Sequence, residues 1–202
     1  MSNVSPSVHT IAVIGLGLIG GSLAKAAKQA GFAVHTTGYS LNFSEVRLGV
    51  ELGVVDSAAS SVEEAVKNAD IVVVAVPVRA FESTLAEIKP YLKSGAVLTD
   101  VGSVKGCFLV AVEKIFGSMP DFVVPGHPIA GSERSGVLAA DANLYRHHKV
   151  ILTPTVQTSN AALTLVREMW ESCGATVLEM SVSHHDEVLA ATSHLPHLLA
   201  FS

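Results

Sequence analysis

Three short segments of this chain carry side chains that could transfer a proton or bind an anion. Ser103 and Lys105 lie in TDVGSVKG, His127 lies in PGHPIAGSE, and His194 and His197 lie in SHLPH. Imidazole takes up or releases a proton near neutral pH, and a histidine flanked by prolines and glycines sits on a stiff backbone. These residue types indicate general acid–base chemistry, with an anionic substrate facing the last two histidines.

Each of these features also has a simpler structural interpretation on spacing alone. Ser103 could serve only as the N-cap of the helix that follows it, and Lys105 could meet an anion or merely cap the sheet edge. His127 could be an ordinary polar surface residue. His194 and His197 are three apart and share a helix face, but no cysteine or carboxylate stands at ligand spacing, so we expect no metal.

A glycine-rich turn, GLGLIG, separates a predicted strand at 10–14 from a predicted helix that begins at Leu18. In the spacing G-x-G-x-x-G, the first glycine allows a tight turn, the second lets a pyrophosphate approach the backbone, and the third lets helix and strand pack closely. An ordinary turn without a ligand is the alternative, but the flanking strand and helix favour a dinucleotide site. The predicted cofactor-binding residues are Gly15, Gly17, Leu18, Ile19, Gly20, Ser40, Val76 and Pro77.

Strands and helices alternate along the chain in the pattern of an α/β protein. The run DIVVVAV at 70–76 is apolar and β-branched without alternation, which is typical of a central parallel strand covered on both faces. Further strands are predicted at 33–39, 96–101, 122–124, 149–153 and 176–180, and helices at 62–67, 81–92 and 161–173. This order predicts one Rossmann-type, doubly wound, mostly parallel sheet, followed by the start of an all-α domain.

The last predicted element is a helix with Ser183 as its N-cap and with Asp186 and Glu187 in its first turn. Apolar residues continue to Phe201 without a stop signal, so we expect the helix to lead into a further helical domain. The expected domains are a nucleotide-binding domain, 1–180, and the first helix of a truncated helical domain, 181–202. Four further histidines are predicted to face solvent or to begin helices: His147, His148, His184 and His185.

The composition argues against several classes of partner. The net charge is -5 without a basic cluster, which disfavours nucleic acid, and the longest apolar run, at 71–78, is too short to span a bilayer. The N-terminal sequence MSNVSPSVHT lacks a basic segment followed by an apolar one, so a cytoplasmic location is expected. Cys107 and Cys173 are expected to be reduced thiols.

Four segments together resemble the prephenate dehydrogenase family, with its arogenate and cyclohexadienyl dehydrogenase members. They are GLGLIGGSLAKA at 15–26, TDVGSVKG at 99–106, PGHPIAGSERSGV at 125–137 and HHDEVLAATSHLPHLLAF at 184–201. The resemblance implies that prephenate, or arogenate, loses a hydride from C4 to a nicotinamide and CO2 from C1. NAD or NADP is the implied cofactor.

The same resemblance implies roles for individual side chains. His127 would accept the proton of the C4 hydroxyl while the hydride leaves, and Ser103 would bond the same hydroxyl near the nicotinamide. His197 would bind a substrate carboxylate, and His194 would line the same pocket.

At the pocket mouth the family pattern places Ser132 and Glu133, where the acid could gate entry or act on the substrate side chain. The family's substrate-binding arginine lies in the helical domain, past residue 202, and members pair through that domain, so a homodimer is implied. Ser40 stands where members that prefer NAD usually carry an acid, yet the following Leu-Asn-Phe supplies no cation for NADP. The preferences between the two cofactors and between the two substrates stay open.

Two other functions deserve comparison. A β-hydroxyacid dehydrogenase of the 6-phosphogluconate type would carry a catalytic lysine on the helix after the nucleotide-binding domain, and the helix from Ser183 contains none. A non-catalytic NAD(P)-binding redox regulator would need the glycine turn alone. The presence of four further polar side chains favours an enzyme: Ser103, His127, His194 and His197.

Overall fold

A six-stranded parallel sheet is the centre of the structure, a computed structural model that describes residues 9–190. In chain order its strands are β1 (His9–Ile14), β2 (Ala33–Tyr39), β3 (Ser57–Ala58), β4 (Ile71–Val74), β5 (Val97–Asp100) and β6 (Val123–Val124). They lie side by side in the order β3-β2-β1-β4-β5-β6, and every neighbouring pair is parallel. The predicted Rossmann-type sheet is confirmed, with its switch point between β1 and β4.

Helices cover both faces of this sheet. They are α1 (Leu18–Gln29), α2 (Phe43–Glu51), α3 (Val62–Val66), α4 (Phe81–Ile88), α5 (Lys105–Phe116), α6 (Asn160–Ser172) and α7 (Val182–Leu189). Ile11 and Val13 of β1 belong to the core shared with α1, α2 and α6, whereas Ala12 and Ile14 belong to the core shared with α3, α4 and α5. Because successive side chains of a strand alternate between faces, a strand buried on both sides must be apolar throughout.

A second, three-stranded sheet holds the remaining strands, β7 (Gly126–Ile129), β8 (Lys149–Leu152) and β9 (Thr176–Glu179). β8 is antiparallel to β7 and parallel to β9. The prediction that 149–153 and 176–180 extend one open sheet is therefore wrong, and His127 lies on a strand rather than in the predicted loop. Pro125 has no N–H for a ladder, so the chain leaves the first sheet there, and Pro128 is tolerated because β7 is an edge strand.

Helix α7 begins two residues before the predicted start. Ser181 is its N-cap, and the Ser181 hydroxyl accepts a hydrogen bond from the His184 N–H at 3.3 Å. The predicted cap Ser183 lies inside the helix, and Asp186 lies past the first turn, so both predictions were wrong. The expected apolar continuation to Phe201 lies outside the described residues. Between residues 9 and 190, no helix has the length and apolar character that crossing a membrane requires.

Candidate active site

The glycine turn joins β1 to α1 at the carboxyl edge of the large sheet. Gly15 has φ +101°, and its N–H donates to the Tyr39 carbonyl at 2.8 Å. A Cβ on Gly15 would lie 2.3 Å from the Ala75 carbonyl oxygen, and a Cβ on Gly20 would lie 2.4 Å from the Gly15 carbonyl oxygen. A Cβ on Gly17 would meet none of the described atoms within 4 Å. Two glycines are therefore required by close packing, and the second faces open space.

A cleft of about 490 Å³ opens beside this turn. Gly17, the N-cap of α1, has no side chain, and among residues 9–190 no side chain accepts from the first N–H groups of that helix, which therefore suit a bound phosphate. Five of the predicted cofactor residues line the cleft: Gly15, Gly17, Ser40, Val76 and Pro77. The other three form the first turn of α1: Leu18, Ile19 and Gly20. The cleft and the turn together fit a dinucleotide.

Several parts of the chain contribute to this cleft without having been predicted, among them α2, α4 and the loop after β7. Glu45, in the first turn of α2, is a lining residue, and Ser135 and Gly136 reach the cleft from the loop after β7. A Cβ on Gly136 would lie 3.6 Å from the Glu45 carboxylate, so loop and acid face each other. The pattern of NAD-binding strands predicts an acid at the end of β2, where Ser40 stands. An acid in the first turn of the next helix is the sequence signal that could have identified Glu45 as a cleft residue.

His127 lies on β7 and belongs to a chain of polar side chains. His127 Nδ1 is 2.9 Å from His185 Nε2, and His185 Nδ1 is 2.7 Å from Asp186 Oδ1. The His185 side chain is 0% exposed, so the prediction that it faces solvent or starts a helix was wrong. The physical reason is that α7 packs on α5 and β7, which encloses this face of the helix. His147, His148 and His184 are exposed, as predicted.

The carboxylate of Asp186 caps helix α5 from another part of the chain. It accepts hydrogen bonds from the N–H groups of Lys105 at 2.9 Å and Gly106 at 2.8 Å. Partial burial raises the pKa of Asp186, but these two bonds and the bond from His185 outweigh it, and the pKa lies below its ordinary value. The possible role of Ser103 as N-cap is therefore excluded, since Ser103 is exposed and the N-cap position falls on the next residue.

Lys105 neither meets an external anion nor caps the sheet edge, the two roles that the sequence left open. Its ammonium is buried, forms an ion pair with Asp100, and donates to the Gly126 carbonyl at 2.6 Å. The Asp100 carboxylate also accepts from the N–H groups of Gly102 at 2.9 Å and Gly126 at 3.2 Å. Burial raises the pKa of Asp100 and lowers that of Lys105, because it disfavours charge, while their mutual attraction opposes both shifts.

This buried pair connects the two sheets. Asp100 ends β5, which lies two strands from β1, and Gly126 begins β7 immediately before His127. The bonds from Lys105 and Asp100 to Gly126 therefore fix the backbone beside the imidazole at the carboxyl edge of the parallel sheet. This is the edge at which open α/β sheets bind ligands.

The other predicted site residues lie on the surface or outside the described part of the chain. Ser132 and Glu133 are exposed in the loop after β7, where the Ser132 hydroxyl accepts from the Arg134 N–H at 3.2 Å. His194 and His197 fall outside the described residues. Within residues 9–190, no three His, Cys, Asp or Glu side chains are grouped so as to hold a metal ion.

An open parallel sheet with a glycine turn at its switch point and a polar chain that includes a histidine at its carboxyl edge defines a class, that of Rossmann-type dinucleotide-binding domains. Residues 23–179 match the family model described as the nucleotide-binding domain of prephenate dehydrogenase. The chain belongs to the prephenate dehydrogenase family.

Individual relatives agree with this membership. The chain is 38% identical to the cyclohexadienyl dehydrogenase of Zymomonas mobilis, over 95% of this chain and 64% of that protein. It is 36% identical to the prephenate dehydrogenase of Bacillus subtilis, over 96% of this chain and 52% of that protein. The crystal structure of A. aeolicus prephenate dehydrogenase with hydroxyphenyl propionate and NAD+ superposes with a TM-score of 0.89 at 40% identity, covering 98% of this chain and 68% of that one. The chain thus spans 64% and 52% of the lengths of these two relatives.

Proposed function

We propose that the protein is an NAD(P)-dependent dehydrogenase that oxidatively decarboxylates prephenate or arogenate in the biosynthesis of tyrosine. The observation that carries this proposal is the position of His127, a partly buried imidazole whose preceding residue, Gly126, is bonded to Lys105 and Asp100 at the carboxyl edge of the sheet that bears the glycine turn. The names of the relatives, prephenate and cyclohexadienyl dehydrogenase, support the substrate class.

In this proposal the side chains move one proton. NAD(P), when bound, supplies the hydride acceptor. His127 takes the proton of the substrate's C4 hydroxyl as the hydride leaves C4. When the bond between C1 and its carboxylate breaks, the electron pair completes the aromatic ring, CO2 departs, and the proton returns from His127 to the ring oxygen. Ser103, exposed just after β5, bonds the same hydroxyl and keeps it in line with the imidazole.

Several further assignments belong to the same proposal. Residues 1–180 form the NAD(P)-binding domain, and 181–202 begin a helical domain through which two copies pair. Four side chains contact or admit the substrate: Ser132, Glu133, His194 and His197. The location is the cytoplasm.

The direct test uses the full-length protein with prephenate or arogenate and with NAD or NADP, and follows the absorbance of the reduced nicotinamide. Reduction with at least one pair of substrate and cofactor is expected, and comparison of the four initial rates assigns both preferences. If the protein binds the dinucleotide tightly but reduces it with neither substrate, the redox-regulator alternative replaces the enzyme.

Replacing Gly17 with Ala is expected to weaken dinucleotide binding about tenfold or more without lowering the melting temperature. A Cβ at this position meets none of the atoms of residues 9–190 within 4 Å, but it occupies the space through which a pyrophosphate reaches the turn. Calorimetric titration with NAD and thermal unfolding measure the two effects separately.

The matched control for this change is Gly131→Ala, because a Cβ there also meets no atom of the described part of the chain within 4 Å and the residue is exposed, far along the chain from the turn. It should alter neither the affinity for NAD nor the melting temperature. Unchanged affinity in Gly17→Ala would remove the turn as the pyrophosphate site.

Glu45 makes NAD the preferred cofactor in this proposal. Its carboxylate stands in the cleft with Ser40 and would repel the 2'-phosphate of NADP. Glu45→Gln is therefore expected to tighten NADP binding about three- to tenfold at low salt with little change for NAD, since a partly exposed charge is screened by solvent and ions.

The control is Glu51→Gln at the exposed end of the same helix, which should leave both dissociation constants unchanged. Equal NADP affinities in wild type and Glu45→Gln would refute the assignment of cofactor preference to Glu45.

A further inference from the structure

We propose that Asp186 and His185 act as a positioning relay, which holds His127 in the tautomer that carries its proton on Nδ1 and presents Nε2 as the base. The catalytic consequence of the relay rests on the proposed function, whereas its geometry is given by the contacts of three side chains. His185 and Asp186 are positioning residues, since they act through His127.

The donor and acceptor roles in the relay are set by Asp186. Its carboxylate accepts from two backbone N–H groups of α5, and its pKa lies below the ordinary value because these bonds and the bond from His185 outweigh partial burial. An ionised carboxylate can only accept hydrogen bonds. His185 Nδ1, 2.7 Å from Asp186 Oδ1, must therefore carry a proton.

The tautomer of His127 follows from the second contact. With its proton on Nδ1, neutral His185 has a lone pair on Nε2 and can only accept there. His127 Nδ1, 2.9 Å from that atom, must be the donor. In neutral His127 this places the proton on Nδ1, so that Nε2 carries the lone pair that a general base needs.

The surroundings keep the relay in one arrangement. The His185 side chain is 0% exposed and stands edge-on to the His127 ring, at 67° with 5.1 Å between ring centres. Other charges nearby are already engaged, since the Lys105 ammonium is paired with Asp100 and bonded to Gly126. When His127 gains a proton, the Asp186 carboxylate stabilises the added charge through His185. The acid of a hydrolytic triad stabilises its imidazolium in a similar way.

The same carboxylate also sets the distance between two parts of the site. Asp186 holds the N-terminus of α5, directly after the loop that carries Ser103, while its partner His185 holds His127. Two adjacent residues of α7 thus tie together the hydroxyl and the imidazole that the proposed mechanism uses. A shift of α7 would move both.

The first test reads the tautomer directly in the wild-type protein. Long-range proton–nitrogen correlation spectra of protein labelled with 15N-histidine distinguish a protonated from an unprotonated ring nitrogen, and the His127 signals are assigned by their loss in His127→Asn. The expected result at a pH where the ring is neutral is a protonated Nδ1 and an unprotonated Nε2. The opposite tautomer would overturn the relay, whether or not the protein turns over prephenate.

The second test uses two variants in the full-length protein. His185→Leu removes the acceptor and is expected to lower kcat about 10- to 100-fold, with the NAD dissociation constant unchanged, the usual range for lost supporting contacts. His185→Gln offers an amide oxygen to His127 Nδ1 and is expected to recover kcat to within about threefold of wild type. His184→Leu, the exposed neighbour, is the control and should change neither value.

The two proposals fail in different ways. If wild-type protein reduces neither cofactor with prephenate or arogenate, the proposed function fails, and the spectra still decide the tautomer. If wild type is active but His185→Leu keeps its kcat, or if the Gln variant is no better than the Leu variant at equal melting temperature, the relay fails and the proposed function stands.

Discussion

Replacing His127 with Asn is expected to lower kcat by about 100-fold or more while leaving the dissociation constant for NAD unchanged. The change removes Nε2, the atom proposed to accept the hydroxyl proton. The Asn amide can still donate to His185 Nε2 in place of Nδ1, which lies 2.9 Å away, so the relay keeps a partner and the fold is retained. His127 does not line the cleft beside the glycine turn, so we expect cofactor binding to be unaffected. Steady-state rates provide kcat, and calorimetric titration provides the dissociation constant for NAD.

The control for this prediction is His147→Asn. His147 is exposed and has φ +64°, a conformation that Asn tolerates better than most residues, so neither stability nor turnover should change. Full turnover in His127→Asn would exclude this imidazole from the reaction and with it the proposed mechanism.

Replacing Lys105 with Met is expected to destabilise the protein by about 3–5 kcal/mol, measured as the free energy of unfolding in urea. The substitution leaves the buried Asp100 carboxylate without its ammonium partner and the Gly126 carbonyl without its donor. A charge that loses its partner in the interior keeps its desolvation cost, which is why breaking such a pair costs more than the pair contributes. Because Gly126 precedes His127, turnover should fall as well, even at temperatures where the variant stays folded.

Lys114→Met is the matched control, since it makes the same substitution in the same helix at an exposed ion pair with Glu82. Exposed pairs contribute little, so its free energy of unfolding should stay within about 0.5 kcal/mol of wild type. A second variant, Asp100→Asn with Lys105→Met, removes the stranded charge and should recover part of the loss. Equal stabilities of Lys105→Met and Lys114→Met would show that the buried pair does not hold the two sheets together.

The glycine turn and the parallel sheet were predictable because their causes are local. Gly20 is required by a backbone atom of the same turn, since a Cβ there would lie 2.4 Å from the Gly15 carbonyl oxygen, whereas Gly15 is crowded by Ala75 after the neighbouring strand. Strands such as β4 are apolar throughout because both faces are covered. The second sheet was missed because strand periodicity does not say which partner a strand will choose. Pro125 marked the break, but the pairing of β7 with β8 depends on residues far along the chain.

The sequence by itself predicted the class of fold and the glycine turn and singled out His127 as a candidate base, since residue types and short spacings carry all three. Only the tertiary structure decided that Lys105 is buried in an ion pair with Asp100 and that His185 and Asp186 are linked to His127. His127 and His185 are 58 residues apart, and Lys105 and Asp186 are 81 apart. Contacts over such separations arise from the packing of α7 against α5 and β7, which no local pattern encodes.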